Sequence, residues 1–329
     1  MENPIFSQHR LLVLAPTRRA VSETFVRANL QGLPFDVTAF FGDERPFNHP
    51  WRFAYGLAIL LSKACTRLRW LRLASWPASV VTYGLIRLYR PQAVMVEFGF
   101  EAVRVMEACV WSGTPLVVHF RGSDASARDR LGLLNRRYRR LMRIAAGVIV
   151  KSQPMAQTLV SLVAQADRLL ISPSGANRAL FKGSSPATAP PVFLAVGRFV
   201  EKKGPLHTIR AFSLLETATQ SREQRPQLWM VGEGPLLNEA KTLVQSLALQ
   251  DRVHLLGLRT QEEVAALMRE VRGFVQHSLV ASDGDIEGSS VAVMEAQLSG
   301  LPVVATRHAG IPEVVLEGES GFLVDEGDV

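Results

Sequence analysis

Short apolar runs alternate with longer segments of helical period along the whole chain. The runs are rich in valine, leucine, isoleucine and phenylalanine, which favours buried strands, and their alternation with helical segments is typical of βα units on a parallel sheet. In the first half the pattern predicts helices at 22–31 and 100–111. It predicts strands at 11–16, 35–41, 93–99, 115–120, 147–152 and 169–172.

The strand pattern restarts in the second half, after a stretch without periodicity. That stretch, GSSPATAPP, is rich in proline, serine and glycine, which favours an interdomain linker at 182–191. The strands predicted after it lie at 193–198, 227–234, 253–257, 273–278 and 302–306. We therefore predict a first domain at 1–181 and a second at 192–329, both α/β with doubly wound parallel sheets that bind ligands at the carboxyl ends of their strands.

Composition describes an ordinary globular protein. The 329 residues are 47% hydrophobic and 20% charged, which excludes a disordered chain, and the length exceeds one typical core. The two cysteines, Cys65 and Cys109, lack metal-binding spacing, and so few thiols fit a reducing compartment. The amino terminus has no signal-peptide pattern, so we expect the protein to remain in the cytosol.

The formal net charge of +7 is concentrated in two places. No acidic residue occurs between Arg45 and Val96, and a second basic cluster lies at 136–143. In the first of these stretches aromatic residues alternate with cations, namely Arg52, Lys63, Arg67, Arg69, Arg72, Arg87 and Arg90. The pattern suits an anionic lipid surface, nucleic acid, or a solvated face whose arginine stems cover apolar surface. The apolar run at 54–62 is shorter than the ~20 residues that span a bilayer, so any membrane contact should be peripheral. Of the three alternatives we predict contact with an anionic membrane surface, and we predict no nucleic-acid partner.

The segment IEGSSVAVMEAQLSG places two carboxylates among small and apolar residues. Glu287 falls in the loop before a helix predicted at 290–299, and Glu295 falls within that helix. Ser289 and Ser290 leave the amides of the first turn open, and such a turn favours an anion such as phosphate. The alternative is that both glutamates are solvated acids.

Two further turns carry candidate ligand-binding residues. In GRFVEKKG, Arg198 follows a predicted strand and Lys203 precedes the next helix, where two cations suit a diphosphate. In VGEGPL, the glycine-rich turn that includes Gly234 allows a ligand to approach the backbone. Taken alone, the two cations are better explained as ordinary surface residues beside a turn, and a single GxG is a weak signal.

These three segments, in this order and spacing, resemble the donor half of family 4 glycosyltransferases, and HSLVASDGDIEG resembles the subset of bacterial exopolysaccharide and lipopolysaccharide assembly. The resemblance implies the GT-B fold, with two Rossmann-like domains facing a central cleft. It also implies a retaining transfer of a sugar from a nucleotide-diphosphate sugar to a glycan acceptor, lipid-linked in the leading interpretation. We expect this reaction in the cytoplasm, peripherally on the inner face of the membrane.

The resemblance also implies roles for single residues. Arg198 and Lys203 match the cations that hold the donor diphosphate. Glu287 matches the acid beside the transferred sugar, and Glu295 matches the acid that accepts hydrogen bonds from the ribose.

Ser289 and Ser290 occupy the helix start that faces the phosphates in the implied donor site, and Gly234 is a further donor-binding candidate. The family needs no metal or other cofactor, because protein cations and a helix dipole stabilise the leaving diphosphate. The acids at 283–285 form a superficial DxD motif, but no comparable acid cluster accompanies them, so we predict no metal site there.

The first half resembles the same family less closely. Ser22, Glu23 and Thr24 in the SETF segment are candidates for the acceptor side. His119 and Arg121 in VVHFRGSDAS are catalytic candidates at a strand end that faces the donor sugar in the family. Many relatives have histidine at the position of Arg121, so either residue can carry the role, and His119 can equally be a core histidine.

The sequence ends after GFLVDEGDV, whereas relatives continue through further helices, so we expect the second domain to be incomplete. Three other functions remain open. They are a sugar-binding protein of two Rossmann-like halves, a catalytically inactive GT-B scaffold, and a GT-B epimerase.

Overall fold

The computed structural model describes residues 9–17, 30, 32–43, 49–70, 73–162, 164–215 and 225–329. Contacts divide the chain into two compact units, Met1–Ser172 and Pro173–Val329. In the described part each unit contains one six-stranded sheet. All the strand pairs in both sheets are parallel.

The first sheet has the strand order β2-β1-β3-β4-β5-β6. Its strands are β1 (Arg10–Ala15), β2 (Asp36–Phe41), β3 (Ala93–Glu97), β4 (Leu116–His119), β5 (Gly147–Val150) and β6 (Leu169–Ile171). Every residue of β1 after Arg10 is buried, as expected for a strand inside a parallel sheet that is covered on both faces. This is why the sequence shows continuous apolar runs rather than alternation.

Helices connect these strands. They are α1 (Pro50–Arg67), α2 (Trp76–Tyr89), α3 (Gly99–Ser112), α4 (Ser123–Ser126), α5 (Arg128–Ile144) and α6 (Gln153–Ser161). Helix α1 begins with Pro50, whose missing N–H is not needed in a first turn. Tyr55 of α1 and Tyr138 of α5 are fully buried in the core that these helices form with the sheet.

The second sheet has the order β12-β11-β10-β7-β8-β9. Its strands are β7 (Val192–Val196), β8 (Gln227–Val231), β9 (Val253–Gly257), β10 (Gly273–Gln276), β11 (Val303–Thr306) and β12 (Gly321–Val324). The helices are α7 (Pro205–Ser213), α8 (Leu237–Ser246), α9 (Gln261–Glu270) and α10 (Val291–Ser299). Helix α9 starts with a capping box, in which Thr260 and Glu263 each accept a hydrogen bond from the other's backbone N–H.

The stretch at 182–191 contains no helix or strand and is bonded to the second unit. The backbone N–H of Ser184 donates to the carbonyl of Ser299 at 2.9 Å, and its hydroxyl donates to the carbonyl of Met268 at 2.7 Å. Arg272 donates from Nε to the carbonyl of Ala189 at 3.0 Å. The contacts between residues therefore place the start of the second unit at Pro173, before the stretch whose composition favours a linker.

Candidate functional site

The amino terminus of α10 has no side-chain cap, although Ser290 is its N-cap residue. The Ser290 hydroxyl instead donates to Oε1 of Gln276 at 2.9 Å, and the Ser289 hydroxyl accepts from the backbone N–H of Ser174 at 3.0 Å. The two serines therefore hold the loop in place and leave the first turn to attract an anion. Gly300, with a φ of 94°, ends the helix in the left-handed conformation, one residue after the end predicted at 299.

Two neighbouring lysines hold the loop that carries Glu287. Lys203 Nζ lies 2.6 Å from Glu287 Oε2, and Lys202 Nζ lies 3.0 Å from Asp285 Oδ2. Lys202 also donates to the carbonyl of Ile286 at 3.2 Å. Burial disfavours the Glu287 carboxylate, but Lys203 and Lys202 hold its pKa below the usual range, so Glu287 is ionised.

Glycine is required at position 204, between the turn that carries Lys202 and Lys203 and the start of α7. Gly204 has a φ of 50°, and a Cβ atom there would collide with the carbonyl of His277. Close packing of these two backbones brings Lys203 to the edge of the sheet. The sequence signal KKG before a helix therefore has a steric cause.

Arg198 and Lys203 line one pocket at the carboxyl ends of the strands. The other residues along this pocket include Ala195, Gly197, Thr208 and Gln276. The Arg198 side chain is exposed and is available to a ligand. Gly234 lies in the next turn with a φ of 157°, and a Cβ atom there would collide with the backbone of Phe199.

Glu295 lies in the second turn of α10 and is only 7% exposed. Burial raises its pKa to about 7, and the charge of Lys203 opposes part of this effect. Its carboxylate has no hydrogen-bond partner among the described residues. With its pKa near 7, the carboxyl group carries a proton part of the time at neutral pH, so it can both donate and accept hydrogen bonds.

The candidate residues of the second unit therefore lie at one edge of its sheet, the edge formed by the carboxyl ends of the strands. Arg198 and Lys203 follow β7, while Glu287 and Glu295 lie on the connection from β10 to β11. Cations and an open helix amino terminus suit a diphosphate, and the partly neutral Glu295 suits hydroxyl groups. Ligands of parallel α/β sheets bind at this edge.

The DxD segment has no comparable arrangement. Asp285 is paired with Lys202, and Asp283 Oδ1 accepts from the backbone N–H of Asp285 at 2.8 Å. Within the described ranges, no group of three or more histidine, cysteine, aspartate or glutamate residues is placed to hold a metal ion. Independence from metal stays a prediction.

The first unit contains a second buried polar cluster, which includes both of its predicted catalytic residues. Arg121 Nε donates to Glu97 Oε2 at 2.7 Å, and His119 Nδ1 lies 3.4 Å from the same oxygen. Burial lowers the pKa of His119 to about 4 despite Glu97, so the imidazole is neutral. Although burial opposes ionisation, His119 and Arg121 lower the pKa of Glu97 to about 2. His119 Nε2 is buried without a hydrogen-bond partner among the described residues.

Sequence reasoning missed Glu97, Lys151 and Asp124. Glu97 and Lys151 are charged residues inside predicted strands, and that position was the available signal. Asp124 is fully buried and accepts hydrogen bonds from the backbone N–H groups of Gly99 at 2.8 Å and Arg121 at 3.0 Å. It thereby fixes the turn that carries Arg121.

Lys151 follows β5 and is only 3% exposed, and its ammonium donates to the carbonyl of Ser172 at 3.1 Å. Burial, and then the charge of Arg121, lower its pKa to about 7 despite Glu97. The folded protein therefore binds fewer protons than the unfolded chain from about pH 7 to the ordinary lysine value of 10.5, and this contribution to stability rises with pH across that window.

Lys151→Met is therefore expected to increase the free energy of unfolding near pH 7 by about 1–3 kcal/mol, since the buried charge is removed. The advantage should shrink as the pH rises towards 10, which urea unfolding at several pH values measures. Lys241→Met, at an exposed position of α8, is the matched control and should change little. A Lys151→Met effect that does not vary with pH would contradict the assignment.

Ser22, Glu23 and Thr24, predicted on the acceptor side, lie outside the described residues. The other predicted site residues fall into two groups. Glu287, Glu295, Arg198, Lys203, Gly234, Ser289 and Ser290 lie in the second unit, and His119 and Arg121 lie in the first. Their roles stay predictions.

Comparison with solved structures defines the fold class. HepE of Anabaena, solved in complex with UDP, matches with a TM-score of 0.68 at 19% identity, over 97% of this chain and 86% of HepE. Sucrose-phosphate synthase of Thermosynechococcus elongatus matches with a TM-score of 0.70 at 18% identity, over 98% of this chain and 87% of that one. The chain has the GT-B fold, as the sequence predicts.

Residues 177–329 match the family model described as glycosyl transferases group 1. The amylovoran biosynthesis glycosyltransferase AmsK of Erwinia amylovora is 33% identical over 239 residues, which are 71% of this chain and 58% of AmsK. WcaL of Escherichia coli K12, whose name refers to colanic acid biosynthesis, is 33% identical over 235 residues, 70% of this chain and 56% of WcaL. The chain thus matches little more than half the length of these relatives.

Proposed function

We propose that this protein transfers a sugar from a nucleotide-diphosphate sugar to a glycan acceptor during synthesis of a bacterial surface polysaccharide. The observation that carries the proposal is the placement of two cations, an open helix amino terminus and two buried glutamates at one sheet edge. The relatives AmsK and WcaL, and the UDP complex of HepE, support it.

In this proposal the diphosphate lies at the amino terminus of α10, beside Arg198 and Lys203. Glu295 accepts hydrogen bonds from the ribose, and Glu287 stands beside the transferred sugar. The cations and the helix dipole stabilise the negative charge that develops on the leaving diphosphate, so transfer needs no metal or other cofactor. The reaction retains the anomeric configuration, as in the family that the sequence resembles.

The cluster around His119 serves the sugar or the acceptor. Its neutral imidazole offers Nε2 to a hydroxyl group, and Arg121, held by Glu97, adds a fixed positive charge. The acceptor is a glycan carried on a lipid. The resemblance and the exposed apolar face of α1 support a lipid-linked acceptor.

A thermal-shift screen of UDP, GDP, ADP and their sugars tests the proposal. A ligand that binds only the folded state at 100 times its dissociation constant stabilises that state by about 2.7 kcal/mol. We expect one nucleoside diphosphate series to raise the Tm, and its sugar form to be consumed when acceptor lipid is added. The absence of any shift across the screen would overturn the proposal.

We also propose that the first unit docks on the cytoplasmic membrane surface through α1 and its neighbours. Phe53, Leu57, Leu60 and Leu61 recur at helical spacing on α1 and are 47–61% exposed. Trp76 of α2 and Trp111 of α3 are also exposed, with ring centroids 5.5 Å apart. No helix in the described ranges is long and apolar enough to cross a bilayer.

Charge complementarity favours an anionic lipid surface. Neither α1 nor α2 contains an acidic residue, and the exposed Arg67 and Arg87 lie near their carboxyl ends. Apolar side chains enter the interface while cations stay at the headgroups. The opposite face of α1, including Tyr55 and Ile59, is buried in the core, so the exposed residues are not needed there.

Leu57→Ser with Leu60→Ser is expected to weaken co-sedimentation with vesicles of phosphatidylglycerol and phosphatidylcholine by about tenfold or more, because two exposed leucines that would enter the lipid on docking are lost. Leu214→Ser with Leu258→Ser, at exposed leucines of the second unit, is the matched control. Salt should weaken wild-type binding. Equal losses for both double variants would contradict docking through α1.

A further inference from the structure

A histidine and a carboxylate of the second unit bind the backbone of the loop that carries Glu287. His308 follows β11 and is only 1% exposed. Its Nε2 accepts the backbone N–H of Glu287 at 3.0 Å, and its Nδ1 lies 2.5 Å from Oε1 of Glu326. The other oxygen of Glu326 accepts the backbone N–H of Val280 at 2.8 Å.

These contacts fix the tautomer of His308. A backbone N–H can only donate, so Nε2 of His308 is the acceptor and Nδ1 carries the proton. That proton is donated to the Glu326 carboxylate. The pair therefore links three segments of the second unit, namely the loop at 279–290, the turn after β11 and the turn after β12. It holds the loop at two points, Val280 and Glu287.

The loop at 279–290 needs such a clamp because it contains no helix or strand. Lys203 attracts the side chain of Glu287, and Lys202 holds Asp285 and the carbonyl of Ile286. A flexible lysine paired with a carboxylate allows several arrangements. The bond from His308 fixes the backbone at Glu287 itself and so limits the directions open to its carboxylate.

We propose that His308, oriented by Glu326, is a positioning residue that holds Glu287 in its reactive orientation. The inference rests on the proposed function, in which Glu287 stands beside the transferred sugar. Among the described residues the His308 side chain bonds to Glu287 and Glu326, and no hydrogen bond or ion pair joins it to Arg198 or Glu295, so its loss should affect turnover and leave binding of the nucleoside diphosphate intact. A small displacement of a reacting group lowers the rate far more than it lowers affinity.

His308→Ala is expected to lower kcat about 10- to 100-fold and to change the affinity for the preferred nucleoside diphosphate, measured by calorimetry, less than about threefold. His308→Gln should recover most of the loss, because a glutamine amide can accept from Glu287 and donate to Glu326. Glu326→Gln should fall between the two. His254→Ala, on the edge strand β9, is the matched control and should behave as wild type.

Hydrogen exchange separates this inference from the proposed function. The amide of Glu287 should exchange faster in His308→Ala than in wild type, and slowly again in His308→Gln, whether or not the protein transfers sugar. An inactive wild type with this exchange pattern overturns the proposed function and supports the clamp. Three results would each overturn the clamp. They are unchanged exchange of the Glu287 amide in His308→Ala, an unchanged kcat in His308→Ala when the wild type is active, and equal losses in the alanine and glutamine variants.

Discussion

Glu287→Gln is expected to lower turnover by about 10²- to 10³-fold, the range found when one preorganised electrostatic contact to a transition state is removed. The substitution keeps the shape of the side chain but removes the negative charge that Lys203 and Lys202 maintain by holding its pKa low. In the proposed reaction the glycosyl carbon gains positive charge as the diphosphate leaves, and an ionised carboxylate beside the sugar stabilises that charge.

Binding of the nucleoside diphosphate without its sugar should be unchanged or tighter in Glu287→Gln, because Lys203 loses its partner 2.6 Å away and is free to meet the phosphates. Initial rates and calorimetry on the same preparation measure both effects. Glu317→Gln is the matched control, since Glu317 is an exposed carboxylate of the same unit, 2.9 Å from Arg307. Turnover close to wild type would remove Glu287 from the reaction.

Much of the fold could be predicted from the sequence because buried parallel strands are continuous apolar runs. The run LLVLAP, predicted as a strand at 11–16, falls on β1 with a shift of one residue, and the open serines and Gly300 mark the two ends of α10. The strand β12 was missed: GFLV is short, begins with glycine and is followed by acids, so it resembles a tail. Its pairing with β11 places Gly321 against the backbone of Val303, a close approach that no local pattern reveals.

The candidate site could be predicted only in part. Position after a strand and a helix start indicated Arg198, Lys203 and the two glutamates, because parallel topology brings strand ends together. The sequence did not indicate that Lys203 pairs with Glu287, or that His308 binds the backbone of Glu287, since these contacts join segments far apart in the chain. Which side chains meet is decided by the tertiary fold and not by the local sequence.

Lys203→Met is the second substitution with a large expected effect. Affinity for the nucleoside diphosphate should fall about 10- to 100-fold, because a charged hydrogen bond is worth about 1.5–3 kcal/mol. Stability should fall as well. Lys203 lowers the pKa of Glu287 and opposes the rise in that of Glu295, so its removal leaves two buried carboxylates without their nearest cation.

The two losses are separable with a double variant. Adding Glu287→Gln to Lys203→Met removes the uncompensated charge and should restore most of the Tm, while affinity for the nucleoside diphosphate stays low. Arg198→Met should weaken binding of the nucleoside diphosphate and leave the Tm unchanged, because the Arg198 side chain is exposed. If Lys203→Met lowers the Tm but keeps wild-type affinity, Lys203 serves only as the partner of Glu287. The diphosphate would then have to bind elsewhere than at the amino terminus of α10.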